Sequence, residues 1–353
     1  MINYYNKQER KTMIEPGDFI SGRYYIIQEL GDGGFAKTFK AEDRVNGDHK
    51  VIKILNLDYS SNPKILKLFE QEYRVLSNLN HPGIPKVEID GYLKFSCPHT
   101  QEILHGLVME KIEGQDLGKW VRLNQKIANE AQAIDWLKQL TDILDHVHSH
   151  NYVHRDIKPD NIMLKPNGQL VLIDFGIVKE SIQKTQRQTI ANTIIGTPGY
   201  SSPEQERQQP GWELNYTSDF FSLGRTFVHL LTAIFPDNEN LKPDLLSGNG
   251  QLLWRNQAPE FSEQFKNLID NLMEYNPKER PKNTQEILWL IKKLEDKKPF
   301  PPPIVFLSFT LNFVFLTLLA MGVTLPVGWK VLFLVVICGI GGFLVKPLIK
   351  YLF

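Results

Sequence analysis

The chain has 353 residues, room for one large domain or two ordinary ones, so burying a core is not the difficulty. Lys and Arg together number 40, as do Asp and Glu, and a formal charge of zero argues against a nucleic-acid binder, which normally carries a basic excess. The two cysteines, Cys97 and Cys338, stand far apart and suggest neither a disulfide framework nor a zinc site, so a reducing cytosol is the expected compartment.

Residues 1–15 are polar, hold no apolar segment and read as a flexible lead-in rather than a secretory signal. From Arg23 the composition changes. Tyr24-Tyr25-Ile26-Ile27 is aromatic and β-branched, as suits a strand, and Thr38-Phe39-Lys40-Ala41 reads as its return. Between them lies Gly31-Asp32-Gly33-Gly34-Phe35-Ala36, a glycine-rich hairpin whose backbone N–H groups can approach phosphates closely. An ordinary hairpin turn is the competing reading. Val51-Ile52-Lys53-Ile54-Leu55 reads as a buried strand with one lysine, usually an edge or snorkelling residue. Pro63 to Leu79 has apolar residues at helical spacing and carries Glu70 and Glu72.

Val87–Leu93 and Ile103–Met109 read as strands with a polar surface loop, Lys94–Glu102, between them; Cys97 and His99 in that loop are too few to hold a metal. Asp116 is placed to cap a short helix to Leu123. Glu130–His150 carries an apolar stripe of period 3.6 and reads as a core helix. Its His146, His148 and His150 sit at alternate positions that do not share a face, so solvated or terminus-capping roles are expected.

The chain is organised around His154-Arg155-Asp156-Ile157-Lys158-Pro159-Asp160-Asn161, followed by Asp174-Phe175-Gly176. A carboxylate, an amine and an amide lie within a few residues, with a second carboxylate downstream. Phosphoryl transfer needs such a set: a base for the attacking hydroxyl, a cation against the moving phosphoryl, and oxygen ligands for Mg²⁺. Ile162–Leu164 and Leu170–Ile173 read as a hairpin around Pro166-Asn167-Gly168 that carries Asn161 and Asp174 on adjacent strand ends.

These motifs, in this order from about Arg23 to Leu294, resemble those of bacterial eukaryotic-type (Hanks-type) serine/threonine protein kinases. The resemblance implies an α+β, bilobal protein-kinase fold: a small lobe of antiparallel strands plus one helix, a large mainly α lobe, and ATP in the cleft between. It implies that Gly31, Gly33 and Gly34 lie over the phosphates, with Ala36 where the pattern has a third glycine. Lys53 would hold the α- and β-phosphates, fixed by Glu72, which stands at the expected distance before His81-Pro82 and is preferred over Glu70. Met109 would back the adenine pocket, and backbone groups of Glu110 and Ile112 would bond the adenine edge. Asp156 would accept the hydroxyl proton and Lys158 reach the γ-phosphate, a lysine typical of serine/threonine kinases. Asn161 and Asp174 would hold Mg²⁺, with Mn²⁺ as the alternative metal.

Gly176 to Glu204 then resembles an activation segment. Phosphorylation at Thr185, Thr189 or Thr193 is expected to raise activity through Arg155, a guanidinium able to grip phosphate bidentately. Thr197 would shape the substrate site beside Asp156 and Lys158, Asp219 would brace the catalytic loop, and Arg280 would pair with Glu204. Thr284–Leu294 closes the domain as an amphipathic helix.

After a stiff, proline-rich linker at 297–303, Ile304 to Leu325 runs without a charge. As a helix it is about 33 Å long, enough for the roughly 30 Å hydrocarbon core. Pro326-Val327-Gly328 makes a turn. Val331–Val345 alone spans only about 22 Å, so the second span is set at 327–349 with Lys330 snorkelling at the far interface. Lysines 297, 298, 346 and 350 flank the pair, which places both ends in the cytoplasm and makes a transmembrane helical hairpin. The expected organisation is therefore a lead-in at 1–15, a kinase domain at 16–296 whose lobes divide near 110, the linker, and two membrane helices in the cell membrane. The expected partners are protein substrates with Ser/Thr, ATP and membrane lipid, and no nucleic acid. The rival readings are a pseudokinase scaffold tethered to the membrane, which the full set of catalytic groups disfavours, and a small-molecule kinase, which Gly196-Thr197-Pro198-Gly199-Tyr200 with Ser202-Pro203-Glu204 disfavours.

Overall fold

The computed structural model describes residues 14–123, 125–175, 179–180, 197–206, 212–235 and 253–296. The chain divides into two compact units, Met1–Lys292 and Lys293–Phe353. Of the second, only the end of the last helix falls among the described residues. The expected membrane spans at 304–325 and 327–349 lie outside them, as do Thr185, Thr189 and Thr193. Among the described residues no helix is long and apolar enough to cross a membrane.

The first half of the chain builds a six-stranded antiparallel sheet: β1 (Phe19–Ile20), β2 (Tyr24–Asp32), β3 (Ala36–Asp43), β4 (His49–Leu55), β5 (Val87–Ser96) and β6 (Ile103–Glu110), in the order β1-β2-β3-β4-β6-β5. Alternation along the strands puts Ile26, Phe39, Ala41, Ile52, Ile54, Phe95, Leu104 and Val108 into one core that begins at Ile14. Two helices follow β4, the short α1 (Leu57–Ser60) and α2 (Pro63–Asn78). Asn62 starts α2, its side chain accepting from Lys64 N and Ile65 N, with Pro63 in the first turn where its missing N–H costs nothing. Phe69, Glu72, Val75 and Leu76, three and four apart, form its buried face.

The second half is mainly helical. β7 (Gln115–Asp116) leads into α3 (Leu117–Arg122), capped by Asp116 as expected, its Oδ1 accepting from Lys119 N at 2.6 Å. α4 (Glu130–Ser149) is capped by Asn129 and buries its predicted apolar stripe. After it come β8 (Tyr152–Val153), a 3₁₀ turn at Pro159–Asn161, and the predicted hairpin of β9 (Ile162–Leu164) and β10 (Leu170–Leu172). β11 (Lys179–Glu180) pairs with β8. Then follow α5 (Pro203–Glu206), α6 (Tyr216–Thr232), α7 (Glu263–Leu272) and α8 (Thr284–Asp296). Every residue of α6 from Ser218 to Leu231 is buried, which makes it the central helix of this half.

Two expectations are corrected. β5 runs on to Ser96, and the loop after it is not wholly superficial, because Cys97 is fully buried in the sheet core. Its thiol behaves as a small apolar group there. His148 is neither solvated nor capping: it is buried, and the aromatic rings of Tyr216 and Phe220 pack against it. Period alone could not reveal this, since α6 covers a flank of α4 that a lone amphipathic helix would leave wet.

Arg280 and Glu204 meet as expected, in a fork–fork pair at 2.7 and 2.9 Å with both side chains fully buried. The guanidinium also donates to the carbonyls of Glu274, Thr217 and Tyr275, and Ser218 Oγ donates to the carboxylate. Burial pushes the Glu204 pKa up, and Arg280 and Ser218 more than reverse it, leaving the group below its ordinary value. Arg280→Met should therefore lose roughly 3–5 kcal/mol in urea unfolding, because it strands a buried anion. In the parent, the stability Glu204 contributes is present above the carboxylate range and lost as pH falls through its lowered pKa. A variant that flattens neither the stability nor its acid limb would contradict the pairing.

Candidate active site

β4 is a central strand, and the two-residue alternation that buries Ile52 and Ile54 on one face turns Lys53 to the other. There its Nζ meets Glu72 of α2, at 2.8 and 2.9 Å from the two carboxylate oxygens, and Asp174 Oδ1 at 2.7 Å. Glu72, not Glu70, is thus the partner; Glu70 lies on the exposed side with Arg74. Burial works against a charged Lys53, but Asp174 and Glu72 overcome it and raise its pKa. Glu72 is itself pushed up by burial, with Lys53 holding it back.

The second cluster lies in the loop after β8. Asp156 Oδ1 accepts from Thr197 Oγ1 at 2.7 Å, and Asp156 Oδ2 lies 2.9 Å from Lys158 Nζ. Lys158 Nζ also donates to Thr197 Oγ1 at 2.7 Å. Asn161 Nδ2 donates to the backbone oxygen of Asp156 at 2.8 Å and to its Oδ2 at 2.9 Å. An amide so oriented keeps its oxygen free to act as a ligand. Arg155 and Asp174 both have positive φ, 71° and 63°, a conformation that residues with a Cβ adopt only where the surroundings enforce it. Phe175, next to Asp174, is buried edge-to-face on His154 with ring centroids 4.7 Å apart.

The glycine-rich turn joins β2 to β3. A Cβ at Gly31 or Gly34 would meet nothing within 4 Å, and none of Gly31, Gly33 and Gly34 has a positive φ. Neither packing nor backbone strain accounts for Gly31 and Gly34, which points to space kept for a ligand. Ala36, at the third-glycine position, is buried as the first residue of β3, paired with Leu55. At the end of β6, the N–H of Glu110 is taken by the carbonyl of Lys86 at 2.7 Å. The Glu110 N–H is therefore already spent within the protein. Met109 and Ile112 are half-buried on either side of Glu110.

The protein kinase domain profile matches residues 24–289. The chain belongs to the protein kinase family. It is 34% identical over 279 residues to the serine/threonine-protein kinase PknA of Nostoc sp., covering 76% of this chain and 47% of that protein. It is 33% identical over 220 residues to the serine/threonine-protein kinase PrkC of Bacillus subtilis, covering 62% of this chain and 32% of that protein. The chain therefore spans about a third to about a half of the length of these relatives. The solved kinase domain of Mycobacterium tuberculosis PknI shares the fold at a TM-score of 0.57 with 18% identity, covering 79% of this chain and 98% of that one. Kinases of this family use ATP and Mg²⁺.

In this kinase the catalytic loop hangs from one buried carboxylate, Asp219 of α6. Its oxygens accept from the backbone N–H groups of His154 at 2.9 Å and Arg155 at 2.8 Å, and from His148 Nε2 at 2.8 Å. Burial raises the Asp219 pKa, and His148 and these amides bring it below its ordinary value. Sequence reasoning found Asp219 but missed His148, whose signal was only a polar residue on the buried flank of α4. It also missed Gln205, whose Nε2 donates to the Arg155 carbonyl at 2.7 Å and ties α5 to the same loop. Arg155 is buried, its Nε has no hydrogen-bond partner among the described residues, and burial lowers its pKa to about 10. Asp219→Ala should expose the loop to exchange: the amides of His154 and Arg155 are expected to exchange at least tenfold faster in hydrogen–deuterium measurements, while amides of β2–β4 are unchanged. Equal exchange in parent and variant would mean that Asp219 does not hold the loop.

Proposed function

We propose that this chain is a protein-serine/threonine kinase that transfers the γ-phosphate of ATP to Ser/Thr hydroxyls of proteins, and that its kinase domain occupies 16–296. The observation that carries the reading is the Lys53–Glu72–Asp174 charge cluster beside an Asp156 already hydrogen-bonded to a hydroxyl, that of Thr197. Lys53, steadied by Glu72, holds the α- and β-phosphates. Gly31, Gly33 and Gly34 lie over the phosphates, and the Glu110 carbonyl and Ile112 N–H take the adenine edge in front of Met109. Asp156 orients the acceptor hydroxyl and takes its proton. Lys158, whose Nζ is shared between Asp156 and Thr197, offers a positive charge to the moving phosphoryl.

The donor set for the metal is the half-exposed Asp174 carboxylate and the Asn161 amide oxygen, all oxygen and suited to a hard divalent cation. When bound, Mg²⁺ offsets phosphate charge. Activation-segment phosphorylation is part of the reading, and the buried Arg155, whose Nε has no partner among the described residues, supports it as the phosphate's partner.

Purified chain with labelled ATP, Mg²⁺ and a generic protein acceptor tests the assignment. Lys53→Met and Asp156→Asn should each lower kcat by about 10²–10⁴, and changing Thr185, Thr189 and Thr193 together to Ala should lower kcat/KM. Nucleotide binding without turnover by the parent would favour the scaffold reading instead.

We also place the kinase at the inner face of a cell membrane, through spans at 304–325 and 327–349 linked to the domain by 297–303. The uncharged apolar run of 304–325 and the flanking lysines support this. The full chain should sediment with membranes and resist carbonate extraction, and a chain ending at residue 296 should stay in the supernatant. A full chain released by carbonate would remove the anchor from the reading.

A further inference from the structure

Beside the catalytic loop lies a charge cluster to which the kinase reading gives no role; of its members only Asp116 has been assigned one, as the cap of α3. Gly118 and Arg122 are four residues apart and share one face of α3. That face lies against the 3₁₀ turn at Pro159–Asn161, so closely that a Cβ on Gly118 would sit 2.4 Å from Asp160 Oδ1. Arg122 donates to that same oxygen at 2.8 Å, and its other terminal nitrogen lies 3.6 Å from Asp116 Oδ1. One guanidinium thus spans two carboxylates. Lys119, 3.4 Å from Asp116 and more exposed, is the remaining cation of the group.

The cluster borders the place where an acceptor must enter. Asp160 follows Asp156 by four residues and precedes Asn161. Tyr200 lies within electrostatic reach of Asp160, Arg122 and Asp156, on the turn whose Thr197 touches Asp156. Tyr200 hydrogen-bonds His229, which senses Asp160 and Arg122 in turn. The side chains of Arg122 and Asp160 are 59% and 44% exposed, so an incoming polypeptide can meet both.

We propose that Arg122 is a specificity-determining residue: by pairing with Asp160 and Asp116 it withholds both carboxylates from substrate, so the site takes Ser/Thr segments without basic neighbours. The inference rests on the kinase reading and names the substrate class within it. A Lys or Arg beside the acceptor would find these anions already paired and would face a like charge. Specificity of this kind comes from what is repelled as much as from what is bound. Without Arg122, Asp160 loses its ion-pair partner among the described residues and Asp116 keeps the N–H and ammonium of Lys119, leaving a more acidic edge next to the acceptor.

The test is a positional-scanning library of Ser- and Thr-containing peptides, phosphorylated by the full chain and by Arg122→Ala and Arg122→Gln. The parent should show no preference for Lys or Arg over Ala at any position. Both variants should gain a preference for a basic residue at one or more positions of about fivefold, ~1 kcal/mol at 1.4 kcal/mol per factor of ten. Adding Asp160→Asn to Arg122→Ala should abolish most of that gain. A parent that already selects basic residues, or variants whose profile matches the parent's, would overturn the inference while leaving the kinase reading standing. A parent that phosphorylates no peptide and no protein acceptor would overturn that reading and this inference with it.

Discussion

An ammonium held between two carboxylates joins the parts of this kinase. Lys53 belongs to a central strand, Glu72 to the helix packed on the sheet, and Asp174 to the loop after β10, and the contacts at 2.7 to 2.9 Å bring all three to one point. In a partly desolvated setting each charge is tolerable only while the others are present. The cluster is therefore more than a binding device. It sets where α2 stands against the sheet and where the helical half presents Asp174.

The same logic recurs deeper in the helical half. Asp219 has no exposed surface, yet it is anionic because two backbone amides and His148 solvate it in place of water. Its acceptor capacity is spent on the chain just before Asp156. The strained φ at Arg155 follows from that anchoring, since both amides must turn toward one carboxylate. Glu204 and Arg280 hold the segment after Thr197 by a second buried pair. Buried charge is a costly way to fix a backbone, but it is directional in a way apolar packing is not.

The overall neutrality of the chain hides local order of this kind. The carboxylates in the loop after β8 are divided among different partners: Asp156 with Lys158, Asn161 and Thr197, and Asp160 with Arg122. Asp160 is paired by a residue of α3, a helix of six residues that composition would never single out.

The amino-acid sequence by itself determined the strands from Tyr24 to Glu110 and the helices α2, α4 and α8, and it singled out Lys53, Asp156, Lys158, Asn161 and Asp174, of which the structure brings Lys53 to Asp174 and Asp156 to Lys158 and Asn161. Those signals are local: alternation, helical period, a cap at Asp116, and short motifs whose residues are close in the chain. The choice of Glu72 over Glu70 came from spacing to a distant motif, and the tertiary contact with Lys53 decided it. The burial of Cys97, the pairing of His148 with Asp219, the tie from Gln205, and the bridge of Arg122 to Asp160 were decided only by the tertiary structure. Each depends on which segment, distant in sequence, covers a given face, and a polar side chain carries no mark of its future neighbour until that packing brings the two together.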